Sequence, residues 1–294
     1  MKFCQSLMYA PPADWVELTR CAEDVGFDQV SLSDHVFYPG KLESSYPYSR
    51  SGRPSFPPET PWPDVWVMTG ALAAATERIR FATHVYVLPA RNPFVVAKAV
   101  GTAAYLSGDR VLLGVGAGWM REEFDQLEQP FAQRGARMEE QIEVLRILWR
   151  GGMVEHHGEF YDFDKLEMAP APAQPVPILI GGQTEVALRR AARIGEGWLG
   201  THYPLDGLRG YVDRLQAYRR EYDTERRPFE IQAAITDRLP DTEVCAELAE
   251  LGVTTLITSA WLIEGLTFAS LDDNRRALER FAAAYIAPAE SISG

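Results

Sequence analysis

The chain has 294 residues, 46% of them apolar, with a net charge of −12 and a pI of about 5.0. No block of Lys or Arg interrupts that acidic balance, and no apolar run reaches membrane-spanning length, so nucleic acid and membrane are excluded as expected partners. The apolar content builds a large core, and a single (β/α)8 barrel of this length is ordinary, so one domain over residues 1–294 is expected.

Short apolar runs alternate with helical patterns along the chain. The amino-terminal MKFCQSLMYAPP predicts a first strand near Phe3 and is too short for a signal segment. Trp15, Leu18, Ala22 and Val25 share one helical face, Gly26 ends that helix, and a second strand begins near Gln29. Asp34 to Pro63 then breaks the rhythm with a long run rich in Pro, Ser and Tyr, a length at which loops in compact domains are functional or disordered. The third strand begins near Ile79 and is expected to continue to Pro89, with Thr83-His84-Val85 inside it. Asn92 caps the next helix and Pro93 sits in its first turn, where a missing N–H costs nothing. Gly108 ends it, and the apolar run Val111–Val115 is followed at once by Gly116-Ala117-Gly118. Met138, Ile142, Leu145 and Trp149 mark another buried helix face. Gly151 to Pro177 is an insertion, read as a small hairpin with a proline-rich return. Further strands begin near Ile178, Gly197, Glu230 and Thr254. Gly195 and Gly252 end the helices before two of them, and Leu208, Val212 and Leu215 mark a helix face between. Eight strands alternating with helices specify an α/β fold, a (β/α)8 TIM barrel, whose active site lies at the carboxyl ends of the strands. Cys4, Cys21 and Cys245 are scattered without a CxxC pair, as buried thiols of a cytoplasmic protein are.

Several constellations sit at those strand ends. Asp34-His35 follows the buried strand Val30–Leu32 and reads either as an acid/base pair or as a turn cap beside a hydrogen-bonding histidine. His84 is either a satisfied core histidine or a polar residue facing a wet site. The GVGAG turn resembles part of a dinucleotide fingerprint, but Trp119, Met120 and Arg121 fall where a third glycine would be needed. Gly181-Gly182-Gln183 joins a strand to a helix amino terminus. That arrangement is a phosphate cradle, or a tight turn needing glycine for geometry alone. His156-His157 lacks metal-ligand spacing.

Taken in order, VSLSDHVFYP, ATHVYVLPARNP, LSGDRVLLGVGAGWMREEF, RGARMEEQIEVLRILW, HHGEFYDF and ILIGGQTEVALRRAARIGEGW resemble the luciferase-like monooxygenase superfamily of flavin and deazaflavin oxidoreductases. Within it the chain is most similar to the coenzyme F420-dependent oxidoreductases. The resemblance implies a barrel with F420 lying across the strand ends. His35 would be the catalytic proton donor or acceptor, and Asp34 its catalytic neighbour at the ring. Among cofactor-binding positions it implies a non-proline cis peptide at His84-Val85, contacts of Ala117, Gly118 and Trp119 with the cofactor's polar side chain, and phosphate contacts at Gly181, Gly182 and Gln183. Trp119 stands where the sugar-phosphate dehydrogenases of this superfamily carry a catalytic Glu, which implies a small, more apolar organic substrate. Arg91, Arg121, Arg134 and Arg137 form either a basic patch for the anionic tail or solvated helix faces. Tyr38, Tyr46, Tyr48, Phe56 and Trp62 line a pocket or pack the long loop down. FMN-dependent monooxygenation is the alternative chemistry. A metal-dependent hydrolase using Asp34, His35, His84 and His202 is a poor third, since the chain lacks an HxH pair, and no metal is expected. Dimerisation is common among such proteins, and a homodimer is expected.

Overall fold

The computed structural model describes residues 1–288. Its main sheet contains β1 (Lys2–Ser6), β2 (Gln29–Leu32), β3 (Arg80–Thr83), β4 (Tyr86–Val87), β5 (Val111–Gly116), β8 (Ile178–Gly181), β9 (Gly197–Tyr203), β10 (Glu230–Ile235) and β11 (Thr255–Thr258), while β6 (Val154–His157) and β7 (Asp162–Leu166) form a separate antiparallel pair. All pairings in the main sheet are parallel. The short β4 pairs with β5 alone, and the other eight strands close on themselves through β3–β5 and β1–β11. This is a TIM barrel, and each of its eight strands starts within one residue of the position expected from the sequence.

The closed parallel sheet explains why these strands read as nearly continuous apolar runs: both faces are covered. Inward side chains are small or slender, with Ala82, Leu112, Leu179 and Leu199 in one cluster and Cys4, Ala234 and Ile257 in another. Outward residues such as Phe3, Phe81, Leu113, Ile180 and Trp198 join the large core between barrel and helices. The faces read from helical periodicity are buried as expected, from Leu18 and Ala22 through Met138, Ile142 and Leu145 to Leu208, Val212 and Leu215. At the amino end of the barrel, Arg80 pairs with Glu230 at 3.1 Å, and Gln232 donates to both Glu230 and Gln29.

One expectation needs correction. The third strand does not run to Pro89: β3 ends at Thr83, the His84–Val85 peptide is cis, and β4 resumes only briefly beside β5. The apolar run FATHVYV hides this break because every residue in it suits a strand. Gly195 ends its helix as expected, with an extended backbone where Gly26, Gly108 and Gly252 are left-handed. Glycine is needed there for close approach, since a Cβ would lie 2.9 Å from the carbonyl oxygens of Ala191 and Gly197.

The long connection between β2 and the helix Val65–Ala74 is tied down by charges at defined points. Glu122 accepts from the amides of Glu43 and Ser44 and from the Ser44 hydroxyl at 2.6–2.9 Å. Against the upward push of partial burial, those hydrogen bonds hold its carboxyl down to about 2. Asp64 caps the following helix through Trp66 and Val67. The β6–β7 hairpin is anchored similarly, with Glu140 on the helix Arg134–Leu148 accepting from the amides of Glu159, Phe160 and Tyr161.

Candidate active site

The carboxyl end of β2 places Asp34 and His35 at the barrel mouth, and the two side chains have different neighbours. Asp34 is 8% exposed. One carboxylate oxygen accepts from Arg91 Nη2 at 2.7 Å and the other from the amide of Val87 at 3.0 Å. Burial pushes this carboxyl above its ordinary range, while Arg91 and the Val87 amide pull the other way. Asp34 therefore braces the end of β2 against the segment that follows the cis peptide.

His35 sits in a cage. Its ring centroid lies 5.1 Å from Phe56, 5.1 Å from Trp62 and 6.0 Å from Trp119. Tyr46 stacks edge-on against Trp119 at 5.1 Å, and Tyr38 against Phe56 at 6.2 Å. The loop aromatics pack against one another, and Phe56 and Trp62 among them wall His35 with apolar surface. On the remaining side, His35 Nδ1 is 3.2 Å from both carboxylate oxygens of Glu123.

His84 takes the core-histidine role. Its ring bonds through Nε2 to the carbonyl oxygen of Gly200 at 2.9 Å. Burial pulls its imidazole down to about 4, so the ring is neutral near pH 7 and Nε2–H donates. Beyond the cis bond, the Val85 side chain fills the space above two strand-end glycines; a Cβ on Gly116 or Gly181 would come within 2.6 or 2.7 Å of it. Ala117 and Gly118 continue past β5. Gly118 has φ +80°, and its carbonyl accepts from Arg134 Nε at 3.0 Å.

The four arginines separate into two kinds. Arg91 is committed to Asp34, and Arg137 is buried, donating to the carbonyls of Pro89 and Pro130. Arg121 and Arg134 lie over the Phe131 ring at 4.4 and 3.8 Å, beside the Gly118 loop.

At the end of β8, Gly182 has φ +126°, and a Cβ there would lie 2.7 Å from that of Ala187. Its carbonyl accepts from Trp198 Nε1 at 2.8 Å. Among the described residues, the amides of Gly182, Gln183 and Thr184 make no backbone hydrogen bond. They precede the helix Glu185–Ile194, whose amino terminus Thr184 caps through Ala187. Three free N–H groups and a helix dipole make an anion cradle, and the chain fits a phosphate-bearing cofactor there. The Gln183 side chain is engaged elsewhere, on Thr201 Oγ1, so its contribution to the cradle is its backbone.

The residue that sequence reasoning missed is Glu123. In REEF, directly after the glycine turn, an acid in the first turn of a helix reads as a dipole-complementing surface residue. The adjacent Glu122 reads the same way, yet both reach across to the long loop. Among the described residues, no three His, Cys, Asp or Glu side chains gather as a metal site.

Comparison with known proteins places this arrangement. The family model for luciferase-like monooxygenases matches residues 3–250. An uncharacterised protein of Mycobacterium tuberculosis is 42% identical over 246 residues, covering 83% of each chain. The F420-dependent glucose-6-phosphate dehydrogenase of Amycolatopsis mediterranei is 35% identical over 208 residues, covering 69% of this chain and 57% of that one. Among solved structures, a monooxygenase from Streptomyces bottropensis superposes with a TM-score of 0.76 at 18% identity, covering 98% of this chain and 99% of its own, and so shares the fold. The chain belongs to the luciferase-like monooxygenase family.

Proposed function

We propose that the chain is an F420-dependent oxidoreductase acting on a small apolar organic substrate. The observation that carries this reading is the set of unbonded backbone amides at Gly182–Thr184, at the same barrel mouth as the caged His35. The F420-dependent relative supports it. When bound, the deazaflavin supplies the hydride chemistry. The chain's own residues do the rest. The cradle amides hold the phosphate, and Arg121 and Arg134 attract the anionic tail in an otherwise acidic protein. The loop from Asp34 to Pro63 excludes water. His35 holds or releases a proton at the site of reaction, and the rings of Phe56, Trp62 and Trp119 around it present no charge to a substrate.

The test is a side-by-side titration of the purified protein with F420 and with FMN, followed by fluorescence. F420 is expected to saturate, and Gly182→Val to weaken it at least about tenfold. A branched side chain is strained at positive φ and collides with Ala187, which distorts the cradle. Circular dichroism checks that the variant is folded. Saturable FMN binding without F420 binding would replace this reading with the luciferase-type monooxygenase.

The homodimer is proposed through the outward faces of the helices Val65–Ala74 and Pro93–Ser107. These helices pack together and expose Val67, Val95, Tyr105 and Leu106. Such an apolar face rarely stays in water, and a twofold pairing of it onto a second copy buries it. The double variant Val67→Glu/Leu106→Glu is expected to elute as a monomer of 32.9 kDa, against twice that mass for the wild type in light scattering. A monomeric wild type would end the proposal.

A further inference from the structure

We infer that Glu123 is a positioning residue that fixes the tautomer of His35, so that Nε2 is the atom through which this histidine takes or gives its proton. The inference rests on the proposed role of His35 as the proton-carrying group, and it assigns a part to a side chain that is 88 residues away in sequence.

The geometry has three elements. First, both oxygens of Glu123 lie at the same 3.2 Å from Nδ1, and its side chain is 2% exposed. An ionised carboxylate only accepts, so it requires a proton on the nitrogen it faces. Second, Glu123 is held in place independently of His35, because Oε1 also accepts from the amide of Val36 at 2.7 Å. The same carboxylate thus grips the backbone after His35 and its ring, which limits both rotation about χ1 and flipping of the imidazole. Third, Nε2 has no protein partner among the described residues, and it is not one of the buried polar atoms sealed from solvent. The ring therefore has one nitrogen committed to the protein and one left for a ligand. With Phe56, Trp62 and Trp119 around it, that nitrogen works in a largely apolar setting. A carboxylate that sets the tautomer of a working imidazole is a general device; the partner on one nitrogen decides the chemistry of the other.

A purely structural Glu123 would act through the Val36 amide alone and leave the tautomer indifferent to it. Long-range 1H–15N correlation spectra of 15N-histidine-labelled protein, taken without cofactor, separate the two roles. The chain has five histidines, and the His35 signal is the one lost in His35→Gln. The expected wild-type pattern is protonated Nδ1 with an unprotonated Nε2. In Glu123→Gln, the amide oxygen stays on the Val36 amide and the amide NH2 turns to Nδ1, so the proton moves to Nε2 in a large share of molecules. The same variant is expected to bind F420 within about twofold of wild type and to lose about 10- to 100-fold in kcat. A wild-type His35 protonated on Nε2 would overturn the inference even if Glu123→Gln fails to fold. So would an unchanged Nδ1–H tautomer in the folded variant. Neither result depends on the cofactor, so failure here is distinguishable from failure of the F420 reading.

Discussion

Arg91→Met is expected to destabilise the protein by about 3–5 kcal/mol, the cost of removing one partner from a buried ion pair. The size follows from what is left behind. Asp34 is buried, its carboxylate oxygens bond among the described residues to Arg91 Nη2 and the Val87 amide alone, and Met supplies the stem of Arg91 without the charge. The contact of the guanidinium with the Tyr86 ring at 5.0 Å goes as well. Urea unfolding at pH 7.5 measures the loss. The pH dependence identifies its cause. An unpaired Asp34 in the folded variant has its pKa raised above the unfolded value, so the penalty is present above the folded pKa and is relieved as pH falls through it. The gap between variant and wild type should therefore narrow between pH 7.5 and pH 5. The double variant Asp34→Asn/Arg91→Met should recover most of the stability, since a neutral amide needs no counter-charge. A loss under about 1 kcal/mol, or a gap that widens on acidification, would mean that the pair does not hold the end of β2.

The same pair shows what the sequence could and could not convey. The strands were legible because a barrel strand is buried on both faces, and that burial writes itself into local composition. The turn at Gly181-Gly182 was legible for a related reason: strand, double glycine and helix start are neighbours in the chain. What local pattern does not carry is the fate of identical side chains. Arg91, Arg121, Arg134 and Arg137 look alike in sequence. Two became internal struts and two stayed beside the Gly118 loop, because burial is decided by what packs against each of them. Glu123 drew no notice in the sequence and holds a histidine, and nothing beside Asp34 in the chain points to the arginine that it holds. Both contacts span more than fifty residues of sequence.

His35→Gln is expected to lower kcat by about 10²–10⁴-fold while leaving F420 affinity within about threefold of wild type. Gln approximates the length of His and can still reach Glu123, so the cage of Phe56, Trp62 and Trp119 keeps its filling and the change falls on proton transfer. The affinity should hold because the proposed phosphate cradle follows β8 and the tail-attracting Arg121 and Arg134 follow β5, on different strands from β2. Gly182→Val is the complement: it should raise the Kd for F420 and leave kcat at saturating cofactor within about threefold. Steady-state kinetics with fluorescence titration of both variants measures the four quantities together. If His35→Gln weakened F420 as strongly as Gly182→Val and left kcat unaltered, His35 would be part of the wall of the binding site, and its Glu123 partner would be an anchor for the loop. The predicted split instead requires that the mouth be divided, with the backbone amides past β8 binding an anion and a single imidazole past β2, insulated by aromatic rings, handling the proton.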